Sequence, residues 1–418
     1  MMMLAIKGNS GKMKKSKRII GKIRGALSEK PGHIRGSEKE QLTMKDMVLT
    51  KYMNDSVKWL IKDIIKNTFN DPKETAFLMK CRNQSRRAMK SRTEHEKNGH
   101  HIPPFLIASI TKDCNLNCAG CYARKTGLCS DDPCPDLLNA KEWAGLFHQA
   151  GACGIQFILL AGGEPMLRKE VMEKAAEFPD IVFPIFTNGT LIDDGYIGFF
   201  DDHRNMVPVL SMEGGEETTD LRRGKGTYQI LDEKMKLLDR NRILYGTSIT
   251  VTRENIDEVT GSDFIGKLEG NGCRIVFYIE YVPIDKATRE IAISDNEREL
   301  LADHLVKLKE EHPSVFFIDF PGDEKALGGC LAAGRGFFHI SPTGNAEACP
   351  FAPYSDMDLR HNTLLEVLQS EFFRKLQTED LVGAEHMGGC TLFEERENVE
   401  KILKEISSDY AKRNEISE

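Results

Sequence analysis

The stretch FLIASITKDCNLNCAGCYARKTG, from Phe105 to Gly127, joins a mostly apolar run, FLIASIT, to a loop that carries three cysteines. Cys114, Cys118 and Cys121 follow the run closely, with three and then two residues between them. A short apolar run that leads straight into a polar loop predicts a buried strand with functional residues at its carboxyl end. Because the three thiols share one short loop, they can converge on a single metal centre.

Five further runs of the same kind follow, and helical segments alternate with them. The runs are IQFILLAGG, IVFPIFTNG, MVPVLSM, GTSITVT and RIVFYIEYVPI. The helical segments include NAKEWAGLFHQAGACG, GTYQILDEKMKLLDRN and SDNERELLADHLVKLKEEH. The alternation predicts βαβ units and therefore an α/β fold with a parallel sheet, and hydrophobicity along the whole of each run is typical of strands buried on both faces.

Each of the first five predicted strands is followed by a polar or glycine-containing stretch. After the cysteine loop come GGEP, TNGT, SMEGG and TREN. In parallel sheets, ligands bind beyond the carboxyl ends of the strands, where loops vary without disturbing the core. We therefore expect these stretches to form one site.

Charge and composition divide the 418-residue chain into five segments. Residues 1–103 carry 24 Lys and Arg against 10 Asp and Glu, a net +14, which leaves −21 for the remainder of a chain whose net charge is −7. The predicted segments are a basic tail that is disordered or interfacial (1–40), a helical lead-in with a break at Asp71-Pro72 (41–103), the strand and helix core (104–320), a small cysteine-containing domain (321–395) and a C-terminal helix (396–418).

Composition also narrows the cellular setting. No stretch approaches the roughly 20 apolar residues of a membrane span, and the first residues lack the apolar centre of a secretory signal. We expect a cytoplasmic protein, either free or in peripheral contact with a membrane through its basic arm, and no nucleic-acid partner. In that compartment thiols stay reduced, so the clustered members of the 11 cysteines favour metal binding over disulfides.

Three thiolates in one loop favour zinc or an iron-sulfur cluster. A structural zinc site requires four ligands, and Cys129 or Cys134 could supply the fourth. A four-iron cluster held by three cysteines leaves one iron open to a ligand from outside the protein. A non-enzymatic zinc or iron-sulfur protein is thus one interpretation, and an enzyme is the other.

The C-x3-C-x2-C spacing directly after the first of six predicted βα units resembles the radical S-adenosylmethionine (radical SAM) superfamily. The resemblance covers about residues 105–290 and implies a partial (β/α)6 TIM-like barrel. It also implies a 4Fe-4S cluster on Cys114, Cys118 and Cys121, whose open iron is chelated by SAM. Reductive cleavage of SAM there gives a 5'-deoxyadenosyl radical that abstracts hydrogen, with electrons from a low-potential donor of the flavodoxin or ferredoxin type.

The other loops extend the resemblance to SAM binding. AGGEP looks like the motif that receives the methionyl amino group, and SMEGGEETTDLRRGKGTY resembles the loop after the fourth strand in peptide-modifying members. On that pattern Ser211 contacts the ribose, while Asp220 and Arg223 match an Asp-x-x-Arg pair whose arginine grips the methionyl carboxylate. The expected SAM-binding residues are Gly162, Gly163, Glu164, Asn188, Ser211, Glu213, Arg222, Arg223 and Ser248. Thr250 and Arg253 are weaker candidates.

Two residues depart from the family's pattern. Glu213 stands where aspartate is usual. Gly120 stands where many members carry an aromatic residue before the third cysteine.

A second set of cysteines, Cys330, Cys349 and Cys390, resembles a reduced form of the C-terminal extension called SPASM, or its shorter twitch form. Such extensions hold auxiliary 4Fe-4S clusters, and this set could hold at most one. Candidates for its fourth ligand are His339, His361, His386, Glu385, Cys129 and Cys134. Pro350 occupies the place of a catalytic aspartate in sulfatase-maturing relatives, which argues against that activity.

The SPASM-like tail and the SMEGG loop favour a peptide or protein substrate. A lipid or other amphiphile is the alternative, because the basic lead-in contains an amphipathic stretch, KRIIGKIRGAL, suited to a membrane surface. Fold resemblance carries no information about the substrate.

Overall fold

The computed structural model describes residues 72–283, 286–320, 329–378, 381–382 and 390–415. The predicted basic tail and the lead-in up to Asp71 lie outside these residues. Helix α1, Pro72–Lys97, starts at the proline where the sequence indicated a break. Proline suits this first helical position because its missing N–H would have no partner within the helix.

Nine strands and fourteen α-helices fall within the described residues. The strands are β1 Phe105–Thr111, β2 Phe157–Gly162, β3 Phe183–Thr187, β4 Met206–Met212, β5 Gly246–Val251, β6 Ile275–Glu280, β7 Phe316–Phe320, β8 His339–Ile340 and β9 Ala346–Glu347. The helices after α1 are α2 Tyr122–Lys125, α3 Ala140–Cys153, α4 Lys169–Ala176, α5 Asp194–Asp202, α6 Glu216–Arg223, α7 Thr227–Arg240, α8 Ile256–Val259, α9 Ser262–Gly270, α10 Asp295–Glu311, α11 Leu364–Leu368, α12 Glu371–Thr378, α13 Thr391–Glu394 and α14 Arg396–Glu415. Short 3-10 turns lie at Pro165–Leu167 and Lys286–Ile291.

The strands form one sheet in the order β7-β6-β5-β4-β3-β2-β1-β8-β9. Strands β1 to β7 pair in parallel with their neighbours, β8 is parallel to β1, and β9 is antiparallel to β8. The predicted parallel α/β fold is confirmed. The six expected strands are all present, but β7 adds a seventh parallel strand, which its shortness and internal Asp319 made hard to recognise.

Helices cover the outer face of the sheet, and their ends are specified locally. Asn139 caps α3 by accepting from the amides of Lys141 and Glu142, and the Glu142 carboxylate accepts from the Asn139 amide. Such a reciprocal cap contributes on the order of 1 kcal/mol. The apolar face of α3 places Phe147 edge-on against Phe183 of β3, with ring centroids 5.1 Å apart.

Helix α1 lies against the amino-terminal ends of the strands. The Gln156 side chain, just before β2, donates to the Cys81 carbonyl at 3.3 Å, and Arg92 donates to the Gly154 carbonyl. This end of the sheet is therefore occupied by α1, whereas the loops at the carboxyl ends are available to build a site. No helix among the described residues is long and apolar enough to cross a membrane.

Candidate functional site

The loop after β1 brings its three cysteines to one cavity of about 340 Å³. Cys114, Cys118 and Cys121 are all half-buried and all line this cavity. Cys114 and Cys121 also pack against a small apolar cluster that contains the buried Cys129. Three thiols at the carboxyl end of a buried strand are thus held on the wall of one cavity.

The glycine-glutamate loop after β2 lies directly on the cysteine loop. The Gly163 amide donates to the Thr111 carbonyl at 3.0 Å, and the Glu164 amide donates to the Asp113 carbonyl at 2.7 Å. A Cβ on Gly163 would lie 2.1 Å from the Asp113 carbonyl oxygen, and Gly162 has a φ of +127°. Only glycine allows this approach, so the two loops are fitted to each other.

The buried carboxylate of Glu164 links the loop after β2 to the loop after β3 through hydrogen bonds. It accepts from the Thr187 hydroxyl at 2.7 Å, the Asn188 amide at 2.7 Å and the Met166 amide at 3.0 Å. Burial raises the pKa of Glu164 to about 7, although these hydrogen bonds oppose the shift. An ionised carboxylate has about four acceptor sites, so one remains for a ligand.

Asn188, which follows β3, connects its loop to the cysteine loop. Its side-chain amide donates to Asn115 Oδ1 at 2.8 Å, and Asn115 donates in turn to the Thr190 hydroxyl at 2.8 Å. Asn188 and Glu164 both line the cavity.

Glu213 occupies a different place from the one that the sequence indicated. It is 2% exposed and is not among the residues that line the cavity. Instead its Oε1 accepts from Arg223 Nη2 at 2.6 Å and Nε at 2.9 Å, and its Oε2 lies 2.7 Å from Arg222 Nη1 without hydrogen-bond alignment. Glu213 thus acts as the counterion of two arginines, both of which do line the cavity.

Ser211 on β4 and Ser248 on β5 face each other, with hydroxyl oxygens 3.3 Å apart, and both line the cavity. Thr250 lines it as well. Arg253 does not, because it pairs with Glu297 at the start of α10 at 3.2 Å.

The Asp220 carboxylate is hydrogen-bonded to backbone amides. It accepts from the amides of Gly226 at 2.6 Å and Tyr228 at 2.8 Å, which holds the turn between α6 and α7. Its contribution to the site is to position the helix end that carries Arg222 and Arg223.

The thiols of the cysteine loop differ in their surroundings. A hydrogen bond from the Cys129 thiol lowers the pKa of Cys114 and raises that of Cys129. Burial raises the pKa of Cys118, and the positive charge of Arg223 opposes this shift. Cys129 is therefore a direct neighbour of Cys114 and lies near Cys121. Cys134 is half-buried and is not in the cavity wall.

The second set of cysteines also converges. Cys330, Cys349 and Cys390 are all buried. Burial raises the pKa of Cys349, and a hydrogen bond with Cys390 and the charge of Cys330 add to the shift. The three thiols therefore lie close together although they come from separate loops.

An aromatic contact places this second set beside the first. Tyr122, next to Cys121, packs its ring on Phe351, two residues after Cys349, with centroids 4.7 Å apart. Phe351 and Pro350 also line the cavity.

Two histidines proposed as a fourth ligand of the second set have other partners. His339 is fully buried and lies 2.7 Å from Glu347 and 2.8 Å from the Ser109 hydroxyl. His361 is exposed and pairs with Asp358 at 2.8 Å. Glu385 and His386 lie outside the described residues.

Within the described ranges, no group of three or more His, Cys, Asp or Glu side chains is placed to hold a single metal ion. A 4Fe-4S cluster takes each thiolate on a different iron, so its ligands do not share one coordination sphere. Three half-buried thiols, a carboxylate and two arginines that line the same cavity fit a cluster and a zwitterionic cosubstrate.

Sequence reasoning missed Tyr281, which also lines the cavity. It belongs to the run RIVFYIEYVPI and therefore looked like one more strand residue, but β6 ends at Glu280. The only signal available was its position directly after a predicted strand.

Known proteins share both the sequence pattern and the fold. Residues 108–262 match the model of the radical SAM superfamily. The AdoMet-dependent heme synthase of Methanosarcina barkeri is 26% identical over 308 residues, which cover 67% of this chain and 87% of that protein. The mycofactocin maturase MftC of Mycolicibacterium smegmatis is 25% identical over 320 residues, 70% of this chain and 76% of that protein.

Several further relatives are matched over less than half of their length. Among solved structures, Streptococcus suis SuiB bound to the precursor peptide SuiA superposes with a TM-score of 0.56 at 16% identity, over 77% of each chain, which is a likeness of fold. The cysteine loop, the parallel sheet and these matches agree: residues 108–262 carry a radical SAM domain, and the enzymes of that superfamily use a 4Fe-4S cluster and S-adenosylmethionine.

Proposed function

We propose that this protein removes a hydrogen atom from an unreactive carbon of a peptide or protein substrate. One observation carries the reaction type: the three cysteines, Glu164 and the two arginines of α6 all meet at one cavity. When bound, the cluster and SAM supply the radical that abstracts hydrogen from carbon.

The side chains of this chain would hold that pair in a defined orientation. Cys114, Cys118 and Cys121 would bind the cluster. The remaining acceptor site of Glu164 would receive the methionyl ammonium group. Arg223 has five N–H donors, so it can hold Glu213 and a second carboxylate together.

The proposal of a peptide substrate is supported by similar proteins. MftC is named as a maturase, and SuiB was solved with a precursor peptide. The cysteines of the C-terminal part add support, because they resemble the extension found in peptide-modifying members.

A second substrate class, a lipid or other amphiphile, is favoured by the wall of the cavity. Along β2 and β3 the apolar side chains at alternate positions are half-buried and face it, among them Leu159 and Phe186. The positions between them are fully buried against the helices. Space bounded by hydrocarbon favours an apolar group, since water there has few polar partners.

We also propose an auxiliary cluster on Cys330, Cys349 and Cys390. Their convergence supports it, and the Tyr122 and Phe351 contact would set it beside the first cluster.

The test is anaerobic reconstitution followed by iron analysis and by measurement of 5'-deoxyadenosine formed from SAM and dithionite. We expect iron binding and deoxyadenosine formation in the wild type, and loss of deoxyadenosine in Cys118→Ala. Cys153→Ala, which changes a buried cysteine of α3, is the matched control and should keep both. Iron binding without deoxyadenosine in the wild type would remove the enzyme interpretation.

A further inference from the structure

Tyr281 occupies the side-chain space next to Gly120. Gly120 has a φ of +65°, and a Cβ placed on it would lie 3.6 Å from Tyr281 Oη and 3.8 Å from Tyr281 Cε2. Position 120 is where the family pattern has an aromatic side chain before the third cysteine. In this chain an aromatic ring from the loop after β6 stands there instead.

The hydroxyl of Tyr281 has no partner within the described part of the chain. The residue is 6% exposed, and its Oη is buried without a hydrogen bond. Among the cavity-lining residues that the structure describes, only Arg222 also has a buried side-chain polar atom without an aligned hydrogen bond, and that atom lies in the ion pair with Glu213. Burying an unpaired hydroxyl costs free energy, so its presence on a cavity wall points to a missing ligand.

Other buried phenols show that the fold can satisfy such groups. Tyr278, three residues earlier on β6, donates to the Val259 carbonyl at 2.6 Å, and Tyr245 donates to the Asn271 carbonyl at 2.6 Å. Tyr281 is also well anchored, because its amide donates to the Val251 carbonyl at 2.9 Å. An anchored phenol with a free hydroxyl is suited to contact a ligand.

We propose that Tyr281 replaces the aromatic side chain absent at Gly120: its ring packs on the nucleoside of bound SAM, and its hydroxyl donates a hydrogen bond to that nucleoside. This inference rests on the proposed function, since it requires SAM in the cavity. The charged ends of SAM require charged partners, which Glu164 and Arg223 provide. A neutral donor on an aromatic ring suits the uncharged base and ribose, which offer a flat face and acceptor atoms.

The test compares ligand affinities of the reconstituted full chain by calorimetry under anaerobic conditions. Tyr281→Phe should weaken binding of SAM about five- to tenfold, as expected for one lost hydrogen bond, and should weaken S-adenosylhomocysteine equally. Tyr281→Ala should weaken both further, because the ring is also lost. Binding of methionine alone, which has no nucleoside, should be unchanged in Tyr281→Phe.

Tyr245→Phe is the matched control, because Tyr245 does not line the cavity and its hydroxyl donates to the Asn271 carbonyl, so its loss should leave SAM affinity unchanged. Iron content and thermal unfolding show whether each variant folds, and the isosteric Tyr281→Phe keeps the test decisive if Tyr281→Ala does not fold. Wild-type SAM affinity in Tyr281→Phe would overturn the inference. Equal weakening of methionine would overturn it too, because Tyr281 would then act through the cysteine loop. Failure of the wild type to bind SAM would instead overturn the proposed function.

Discussion

The Ala119 amide donates to the Arg222 carbonyl at 2.8 Å, and Arg222 Nε donates back to the Ala119 carbonyl at 3.2 Å. Ala119 lies between the second and third cysteines of the loop, and Arg222 lies in the last turn of α6. The cysteine loop is therefore fastened to the helix that follows β4, at the point where the sequence indicated only a cofactor contact.

Arg222→Ala should loosen the proposed cluster site. The substitution removes the hydrogen bond from Arg222 Nε to the Ala119 carbonyl and the ion pair with Glu213. Losing a residue that orients metal ligands typically costs 10- to 100-fold in metal affinity, so we expect faster iron loss to a chelator by about that factor. Leu221→Ala, at a neighbouring side chain that is 81% exposed, is the control. Identical iron loss in both variants would contradict the role of Arg222.

Glu213→Ala should destabilise the fold. It leaves Arg222 and Arg223, whose side chains are 21% and 13% exposed, without their shared counterion. Removing one partner of a fully buried pair costs about 3–5 kcal/mol, and the partial exposure of the arginines brings our expectation to about 2–3 kcal/mol. Urea unfolding at neutral pH measures this change. Glu217→Ala on the exposed side of α6 should stay within about 0.5 kcal/mol of the wild type.

SAM affinity should depend on pH through Glu164. Burial raises the pKa of this carboxyl to about 7 in the free protein, whereas a bound ammonium group favours the ionised form. Binding below pH 7 must therefore release a proton, and affinity should fall by up to about tenfold per pH unit as the pH decreases. Above pH 7 the carboxyl is already ionised, so the dependence on this group levels off.

Calorimetry at pH 6, 7 and 8 checks this dependence. Glu164→Gln should bind SAM more weakly and without this slope, because the amide does not titrate. A wild-type affinity that is constant between pH 6 and 8 would show that Glu164 does not receive the ammonium group.

The parts of the site that could be predicted are those that a short stretch of sequence encodes. The run Phe105–Thr111 is β1 to the residue, and the cysteines that follow it lie together because one loop carries them. The GGEP motif is likewise encoded locally, and the structure adds a reason for Gly163, since a Cβ there would collide with the Asp113 carbonyl of the cysteine loop.

The parts that could not be predicted depend on contacts between distant segments. Glu213 was expected to face the cofactor, but its pairing with Arg222 and Arg223 depends on how α6 folds back over β4. Tyr281 in the loop after β6 lies next to Gly120 in the loop after β1. Neither residue carries a local sequence signal for this proximity.

The iron content of Cys349→Ala should show whether the chain holds the proposed auxiliary cluster in addition to the first cluster. If Cys330, Cys349 and Cys390 hold an auxiliary 4Fe-4S cluster, the reconstituted wild type should contain about eight irons per chain and this variant about four. Cys273→Ala, which changes a fully buried cysteine of the core, should keep the wild-type content. About four irons in the wild type would remove the auxiliary cluster from the proposal.

Deleting residues 1–40 should abolish binding to anionic vesicles if the substrate is an amphiphile at a membrane surface. This segment carries 11 Lys and Arg against 3 Asp and Glu, and each basic residue near an anionic surface contributes about 1 kcal/mol of attraction. Binding of the full chain should weaken as salt is raised, because the Debye length shortens to about 8 Å at physiological ionic strength. Sedimentation with phosphatidylserine vesicles measures it, with phosphatidylcholine vesicles as the control. Equal binding with and without the segment would contradict membrane attachment through this arm, and the peptide would then be the better supported substrate for the apolar cavity.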